Sequence, residues 1–174
     1  MWVPQLVVIA LFALGFGFFY FKRSAGKGSG LGSVTPGLDA LRAGFLQGRA
    51  ADEPEPVCVV AFHYSMLKVE QVTIGVTDRR ILVIKGAGAM HAFPYDNEGE
   101  HLPSSQKQQQ RRGFFDWRHG SFGDGTKGYK PIVKDYPPFT GEEWRMYPTL
   151  DAFPEQKANL REFSRRFHFQ WFYD

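Results

Sequence analysis

The sequence predicts one N-terminal transmembrane α-helix followed by a β-rich α+β cytoplasmic domain that ends in a helix. Three observations support this: a charge-free apolar run at residues 2–21, alternating apolar residues between residues 57 and 95, and helical spacing of apolar side chains after Pro154. We divide the 174 residues into an anchor (1–23), a flexible linker (24–35) and one cytoplasmic domain (36–174). A domain of this size can bury its own hydrophobic core.

The N-terminal run is long enough to cross a bilayer. At a helical rise of about 1.5 Å per residue, residues 2–21 reach roughly 30 Å, the thickness of the hydrocarbon core. Basic residues near the run lie only after it, which places the N-terminus outside and the remainder in the cytoplasm. A cleaved signal peptide needs basic residues before the run and small residues after it, so we predict a retained anchor. Trp2, Tyr20, Lys22 and Arg23 are its predicted interface belt.

The anchor also offers a site for another membrane helix. Ala13 and Gly17 lie four residues apart, and small side chains at this spacing let two helices approach closely. We therefore predict a helix–helix contact there. The alternative, an anchor that faces only lipid, stays open at the level of the sequence.

The linker is rich in glycine and serine, a composition typical of a flexible tether. A chain of about 13 such residues has a root-mean-square reach near 20 Å, so the domain should stay close to the membrane. A short amphipathic helix is predicted at residues 36–47, because Leu38, Leu41 and Phe45 recur at helical spacing before Gly48.

Strands are predicted next, at residues 57–63, 67–76, 81–85 and 89–95. The alternation in residues 67–76 has the period of a β-strand, and Thr77, Asp78 and Arg79 have the chemistry of a turn. Residues 96–110 are polar and are predicted to form a loop. Residues 129–154 are rich in proline and aromatic residues and are predicted to run extended. A final amphipathic helix should begin near Pro154.

The run GVTDRRILV at residues 75–83 resembles a strand–turn–strand element of bacterial pleckstrin-homology-like (PH-like) domains. The resemblance covers about 30 residues, within 57–85. It implies a barrel of two packed sheets with seven strands, closed by a C-terminal helix. The amphipathic segment after Pro154 could supply that helix, whereas residues 98–150 show few clear strands.

Between Lys107 and Lys134, seven basic residues and two acidic residues are interleaved with aromatic residues. Such a pattern suits an anionic membrane surface, a single-stranded nucleic acid or a protein interface, and it also suits a domain that fills its own core with the aromatic rings. No recognised nucleic-acid-binding motif is present, so we expect other membrane protein subunits and membrane lipid as partners and no nucleic acid. The predicted partner contacts are Arg111, Arg112, Phe114, Trp117, Arg118, Tyr129 and Trp144.

Motifs that support chemistry are not found in the sequence. It contains no HExxH, GxSxG or phosphate-binding loop of the GxxxxGK[ST] type, and its five histidines lack metal-ligand spacing. The single cysteine, Cys58, excludes an intrachain disulfide and lies in an apolar run. We therefore expect no enzyme activity, no cofactor and no metal.

Together these features predict a non-enzymatic, single-pass accessory subunit that stabilises a larger membrane protein complex. The expected location is the inner or intracytoplasmic membrane of a bacterium, and the host could be a photosynthetic reaction centre with its antenna or another energy-transducing assembly. The alternative is a membrane-tethered lipid- or peptide-binding PH-like module. A subunit should co-purify with its complex in a fixed ratio, whereas a lipid-binding module should not.

Overall fold

The computed structural model describes residues 34–96 and 100–174. These residues contain three helices and nine strands. In chain order they are α1 (Thr35–Gln47), β1 (Val57–Tyr64), β2 (Val69–Val76), β3 (Arg80–Lys85), β4 (Met90–Pro94), α2 (Ser104–Phe114), β5 (Phe115–Asp116), β6 (His119–Ser121), β7 (Lys127–Tyr129), β8 (Ile132–Val133), β9 (Trp144–Arg145) and α3 (Gln156–Phe167). The described chain is therefore a β-rich α+β domain.

An antiparallel sheet of five strands, in the order β4-β3-β2-β1-β9, organises the domain. The two predicted hairpins β1–β2 and β2–β3 are confirmed, with Val59 opposite Ile74 and Ile74 opposite Val83. The turn between β2 and β3 is the predicted one. Its Thr77 Oγ1 accepts hydrogen bonds from the backbone N–H groups of Arg79 and Arg80, each at 3.1 Å.

Both faces of this sheet are buried. Helix α1 covers one face with Leu38, Leu41 and Phe45. Helix α3 covers the other with Leu160, Phe163 and Phe167, beside aromatic rings from the second half of the chain. Burial on both faces explains why β1 and β3 are nearly continuous apolar runs, since each successive side chain points into one of the two cores.

The loop predicted at residues 96–110 is wrong in its second part, because helix α2 begins at Ser104. Pro103 stands just before the helix, and the following Gln, Lys and Arg residues are good helix formers. The segment lacks apolar periodicity because it contacts the core mainly through Phe114 at its end. Lys107 also fixes it to the end of β4 through an ion pair with Asp96 at 2.9 Å.

The strands that follow α2 are short, with two or three residues each. β5 pairs with β8 and β6 pairs with β7, in two separate two-stranded sheets, while β9 joins the main sheet through Phe62 and His63 of β1. The segment at residues 129–154 contains no helix, as its prolines predict.

One edge of β1 is completed by a side chain instead of a strand. Gln156, at the start of α3 and 0% exposed, accepts a hydrogen bond from the Val60 N–H at 3.0 Å and donates one to the Val60 carbonyl at 2.7 Å. Its amide also donates to the Tyr147 carbonyl at 3.1 Å, and Asn159 donates to the Cys58 carbonyl at 2.8 Å. Two amide side chains of α3 thus satisfy the backbone where β9 does not reach.

A buried ion pair fixes the connection from α1 to the sheet. The Glu53 carboxylate is 2% exposed and accepts hydrogen bonds from Arg80 Nε at 3.0 Å, Arg80 Nη2 at 2.8 Å and the Thr77 hydroxyl at 2.8 Å. Arg80 also donates to the Gly48 carbonyl at 2.7 Å. Burial alone would raise the pKa of Glu53, but the Arg80 and Thr77 hydrogen bonds and the Arg80 charge outweigh it, and the pKa lies below its ordinary value of 4.5.

No helix within residues 34–96 and 100–174 has both the length and the apolarity that a bilayer crossing requires. The predicted anchor lies in residues 1–33, outside the described residues. Its interface belt (Trp2, Tyr20, Lys22, Arg23) and its helix contact (Ala13, Gly17) therefore stay predictions.

We expect Gln156→Leu to lower the free energy of unfolding by roughly 2–4 kcal/mol, because the Val60 N–H and carbonyl would remain buried without partners. Chemical denaturation measures the change. Ala158→Leu, on the exposed side of the same helix, is the control and should change stability by about 0.5 kcal/mol or less. Equal stability of the two variants would contradict the role given to Gln156.

Glu53 should make the domain sensitive to acid. A carboxyl whose pKa is lowered by folding contributes stability above its unfolded pKa, and this contribution is lost as the pH falls through the folded pKa. We expect Glu53→Gln to lower the free energy of unfolding at neutral pH by about 2–4 kcal/mol and to flatten its decline below about pH 5. Thermal unfolding across pH, with exposed Glu55→Gln as the control, tests this, and an unchanged acid profile would contradict it.

Candidate partner-contact surface

Three of the seven predicted partner contacts lie in the core of the domain. Phe114, Tyr129 and Trp144 are 0%, 1% and 0% exposed. A side chain with no accessible surface cannot meet a partner while the domain stays folded, so the prediction is wrong for these three. The alternative that the sequence left open, aromatic rings filling the domain's own core, applies to them.

Trp144 has a structural reason to be buried. It lies in β9, opposite His63 of β1, and its ring packs edge-on against Phe115 and Phe139 at centroid distances of 5.7 and 5.5 Å. Its indole N–H donates to Glu142 Oε2 at 2.8 Å. Trp144 thus fixes the β9 edge of the sheet.

The C-terminal tail, residues 168–174, covers Tyr129. The Tyr129 hydroxyl donates to the Gln170 carbonyl at 3.0 Å and accepts from the Phe172 N–H at 3.1 Å. Burial raises the pKa of Tyr129 to about 12. The aromatic end of the chain therefore packs on its own domain, and Phe172, 48% exposed, is its most exposed large apolar side chain.

Trp117 is half-buried beneath the same tail. Its ring stacks on Phe169 with 3.7 Å between centroids, and its indole N–H is buried without an acceptor among residues 34–96 and 100–174. Replacing Trp117 would therefore disturb the tail as well as any partner. The predicted contact between Trp117 and a partner stays a prediction.

Arg111 and Arg118 are both engaged within the domain. Arg111 Nε donates to the Tyr95 hydroxyl at 3.2 Å, and its guanidinium lies 4.9 Å from the centre of the Tyr95 ring. Burial raises the pKa of Tyr95 to about 12, although the Arg111 charge acts in the opposite direction. Arg118 is exposed and forms an ion pair with Asp116 at 2.9 Å.

Arg112 belongs to a surface that the sequence did not reveal. We define the cationic helical face as Arg112 of α2, Arg161 and Arg165 of α3, and His168, all of which are exposed. Gln108 of α2 contacts the His168 ring and joins the two helices. Partial desolvation and then the positive charges of Arg112 and Arg111 lower the pKa of His168, which is the electrostatic effect of a cationic surface.

Part of this positive charge is not neutralised within the domain. Arg165 forms an ion pair with Glu162. Arg112 and Arg161, in contrast, have no carboxylate within 4.0 Å in the part of the chain that the structure describes. Two exposed guanidinium groups therefore remain available to an acidic partner.

The cationic helical face lies far from the point where the chain enters the domain. Val34 is held beside the start of β2, where its carbonyl accepts a hydrogen bond from Gln71 Nε2 at 3.1 Å. The C-terminal end of α3 lies at the end of β2, where Arg166 donates to the Val76 carbonyl at 3.2 Å. At about 3.3 Å per residue these two points are roughly 17 Å apart along the strand. They also lie on opposite faces of the sheet, because α1 and α3 cover different faces.

Side chains for metal binding do not converge among residues 34–96 and 100–174, where no group of three or more His, Cys, Asp or Glu residues is close enough to hold an ion. The Cys58 thiol is buried, and burial raises its pKa to about 11.

No family model matches this chain, and neither a curated protein nor a solved structure matches it.

Sequence reasoning missed the cationic helical face because it predicted a loop over most of α2. Two spacing patterns in the sequence could have indicated this face. Residues 105, 109 and 112 in α2, and residues 158, 161, 165 and 168 at the end of the chain, have the spacing of one helical side. The contact between the two helices depends on the path of the whole chain and has no local signal.

We expect Tyr129→Phe to loosen the C-terminal tail, since the substitution removes the hydroxyl that bonds Gln170 and Phe172. Amide exchange at residues 169–173 should accelerate, and the free energy of unfolding should fall by about 1–2 kcal/mol. Tyr173→Phe is the control, because among the described residues its hydroxyl bonds the ring of His119, which is exposed. Equal exchange in both variants would contradict the role of Tyr129.

Proposed function

We propose that this chain is a non-enzymatic, single-pass accessory subunit that stabilises a larger membrane protein complex, with its domain in the cytoplasm. The observation that carries the proposal is the cationic helical face, where Arg112 and Arg161 are exposed and have no carboxylate partner among the described residues. Interfaces favour arginine, and complementary charge gives them specificity. An acidic surface on another subunit is the partner that this face fits.

The position of the face favours protein over lipid. The glycine-rich residues that precede Val34 would hold the entry end of the domain close to the predicted anchor, since ten such residues have a reach of about 17 Å. The cationic helical face lies at the other end and on the other side of the sheet. It would then point away from the bilayer and toward the cytoplasmic parts of neighbouring subunits.

We also propose that the domain is a divergent PH-like fold. The hairpins β1–β2, β2–β3 and β3–β4, the turn at Thr77 and the closing helix α3 support this. The second sheet of such a barrel would correspond to the short pairs β5–β8 and β6–β7. Helix α1, which covers the outer face of the main sheet, would be an addition to the fold.

Charge reversal on the cationic helical face tests the proposed function. We expect the full chain with Arg112→Glu and Arg161→Glu to lose its co-purifying membrane subunits in mild detergent, whereas the natural chain should retain them in a fixed ratio. Quantitative mass spectrometry of the purified material measures the ratio and identifies the host.

Arg42→Glu is the control, because Arg42 is exposed on α1, on the opposite face of the sheet. It should leave the ratio unchanged. Retention of all subunits by the double variant, or the absence of any stoichiometric partner of the natural chain, would contradict the proposal. In the second case a lipid- or peptide-binding module would be the better account.

A further inference from the structure

The tip of the β1–β2 hairpin carries two large apolar side chains in water. Met66 and Leu67 are 95% and 91% exposed, and Val69 beside them is 41% exposed. Single exposed apolar residues are common, but adjacent ones at the point of a hairpin suggest a contact site.

Hydrogen bonds between Ser65 and Lys68 close the turn at the tip. Its conformation is held by Ser65, whose N–H and hydroxyl both donate to the Lys68 carbonyl at 2.9 Å, and whose hydroxyl accepts from the Lys68 N–H at 3.1 Å. Tight turns favour Gly, Asn, Asp and Ser at their central positions. Met66 and Leu67 occupy those positions without contributing to the core.

The hairpin tip lies at the same end of the sheet as the entry of the chain. Gln71, three residues after Lys68, donates its side-chain N–H to the Val34 carbonyl at 3.1 Å, and its own carbonyl accepts from the Gly86 N–H at 2.8 Å. Three features therefore converge near Gln71: the β1–β2 tip, the β3–β4 turn at residues 86–89, and Val34, which follows 33 residues outside the described part.

This end of the domain is also close to electrically neutral. Lys68 pairs with Glu70 at 2.7 Å, and Lys85 pairs with Glu142 at 2.6 Å. The β3–β4 turn contributes only glycine and alanine between Lys85 and Met90. An apolar tip surrounded by paired charges suits an apolar environment and has no net charge to attract an anionic surface.

We infer that Met66 and Leu67 insert into the interfacial layer of the bilayer that carries the predicted anchor, so that the domain is held at the membrane by two points. The tip would lie at the boundary between the acyl chains and the headgroups of uncharged lipid. The inference rests on the anchoring part of the proposed function, because the linker of about ten residues before Val34 is what keeps this end near the bilayer. Two attachment points would fix the direction in which the cationic helical face points.

A fluorescent label at the tip tests the inference. The full chain with Leu67→Cys is labelled with an environment-sensitive dye and reconstituted into phosphatidylcholine vesicles. Cys58 should not react, because it is buried and its pKa is raised to about 11. We expect a blue shift of the emission, strong quenching by spin-labelled lipid, weak quenching by aqueous iodide, and no change with salt.

The matched control is the same label at Arg161→Cys, which should stay exposed to water. Adding Met66→Asp to the Leu67→Cys chain should abolish the blue shift, while the far-ultraviolet circular dichroism stays unchanged, since the side chain is outside the core. Flotation of the vesicles distinguishes a failure of the predicted anchor from a failure of the tip to insert. A chain that floats with a water-exposed label at residue 67 overturns this inference alone.

A chain that does not float overturns both the anchor and this inference. A blue shift that appears only after the co-purifying proteins are added would mean that the tip binds protein, and it would likewise overturn the inference.

Discussion

The domain depends on one constraint, the need to satisfy the backbone of β1 inside a sheet that is buried on both faces. Strand β9 pairs only with Phe62 and His63, so the N–H and carbonyl of Val60 must find partners elsewhere. Gln156 provides both hydrogen bonds. Because this residue stands at the start of α3, the same contact fixes where the helix begins and which face of the sheet it covers, and the position of α3 in turn determines where the C-terminal tail lies.

The two ends of the sheet differ in chemistry. One end carries the β1–β2 hairpin tip, the entry of the chain at Val34 and charges that are paired with one another. The opposite end carries the Glu53–Arg80 pair, the C-terminal part of α3 and the cationic helical face. We propose that this division orients the domain beside the membrane that would carry the predicted anchor, with the cationic helical face toward neighbouring subunits.

The sequence was informative where apolar side chains follow one period. The alternation in β2 and the helical spacing in α1 and α3 are such periods, whereas β1 and β3 are continuous apolar runs bounded by turn residues. The observed limits of β1, β2, β3 and α1, and the start of α3, lie within about two residues of the predicted ones. It was uninformative where tertiary contacts decide the structure. Helix α2 contacts the core mainly through Phe114, so it has no apolar period. The burial of Trp144 and Tyr129 depends on β9 and on the C-terminal tail, which are distant along the chain.

The orientation of the domain is the central claim, and photo-crosslinking in native membranes tests it most directly. A photoreactive amino acid at position 161, in the cationic helical face, should form a crosslink to another protein subunit. The same amino acid at position 67, in the hairpin tip, should crosslink to lipid. The reverse pattern, with protein crosslinked at position 67 and no protein at position 161, would contradict the account.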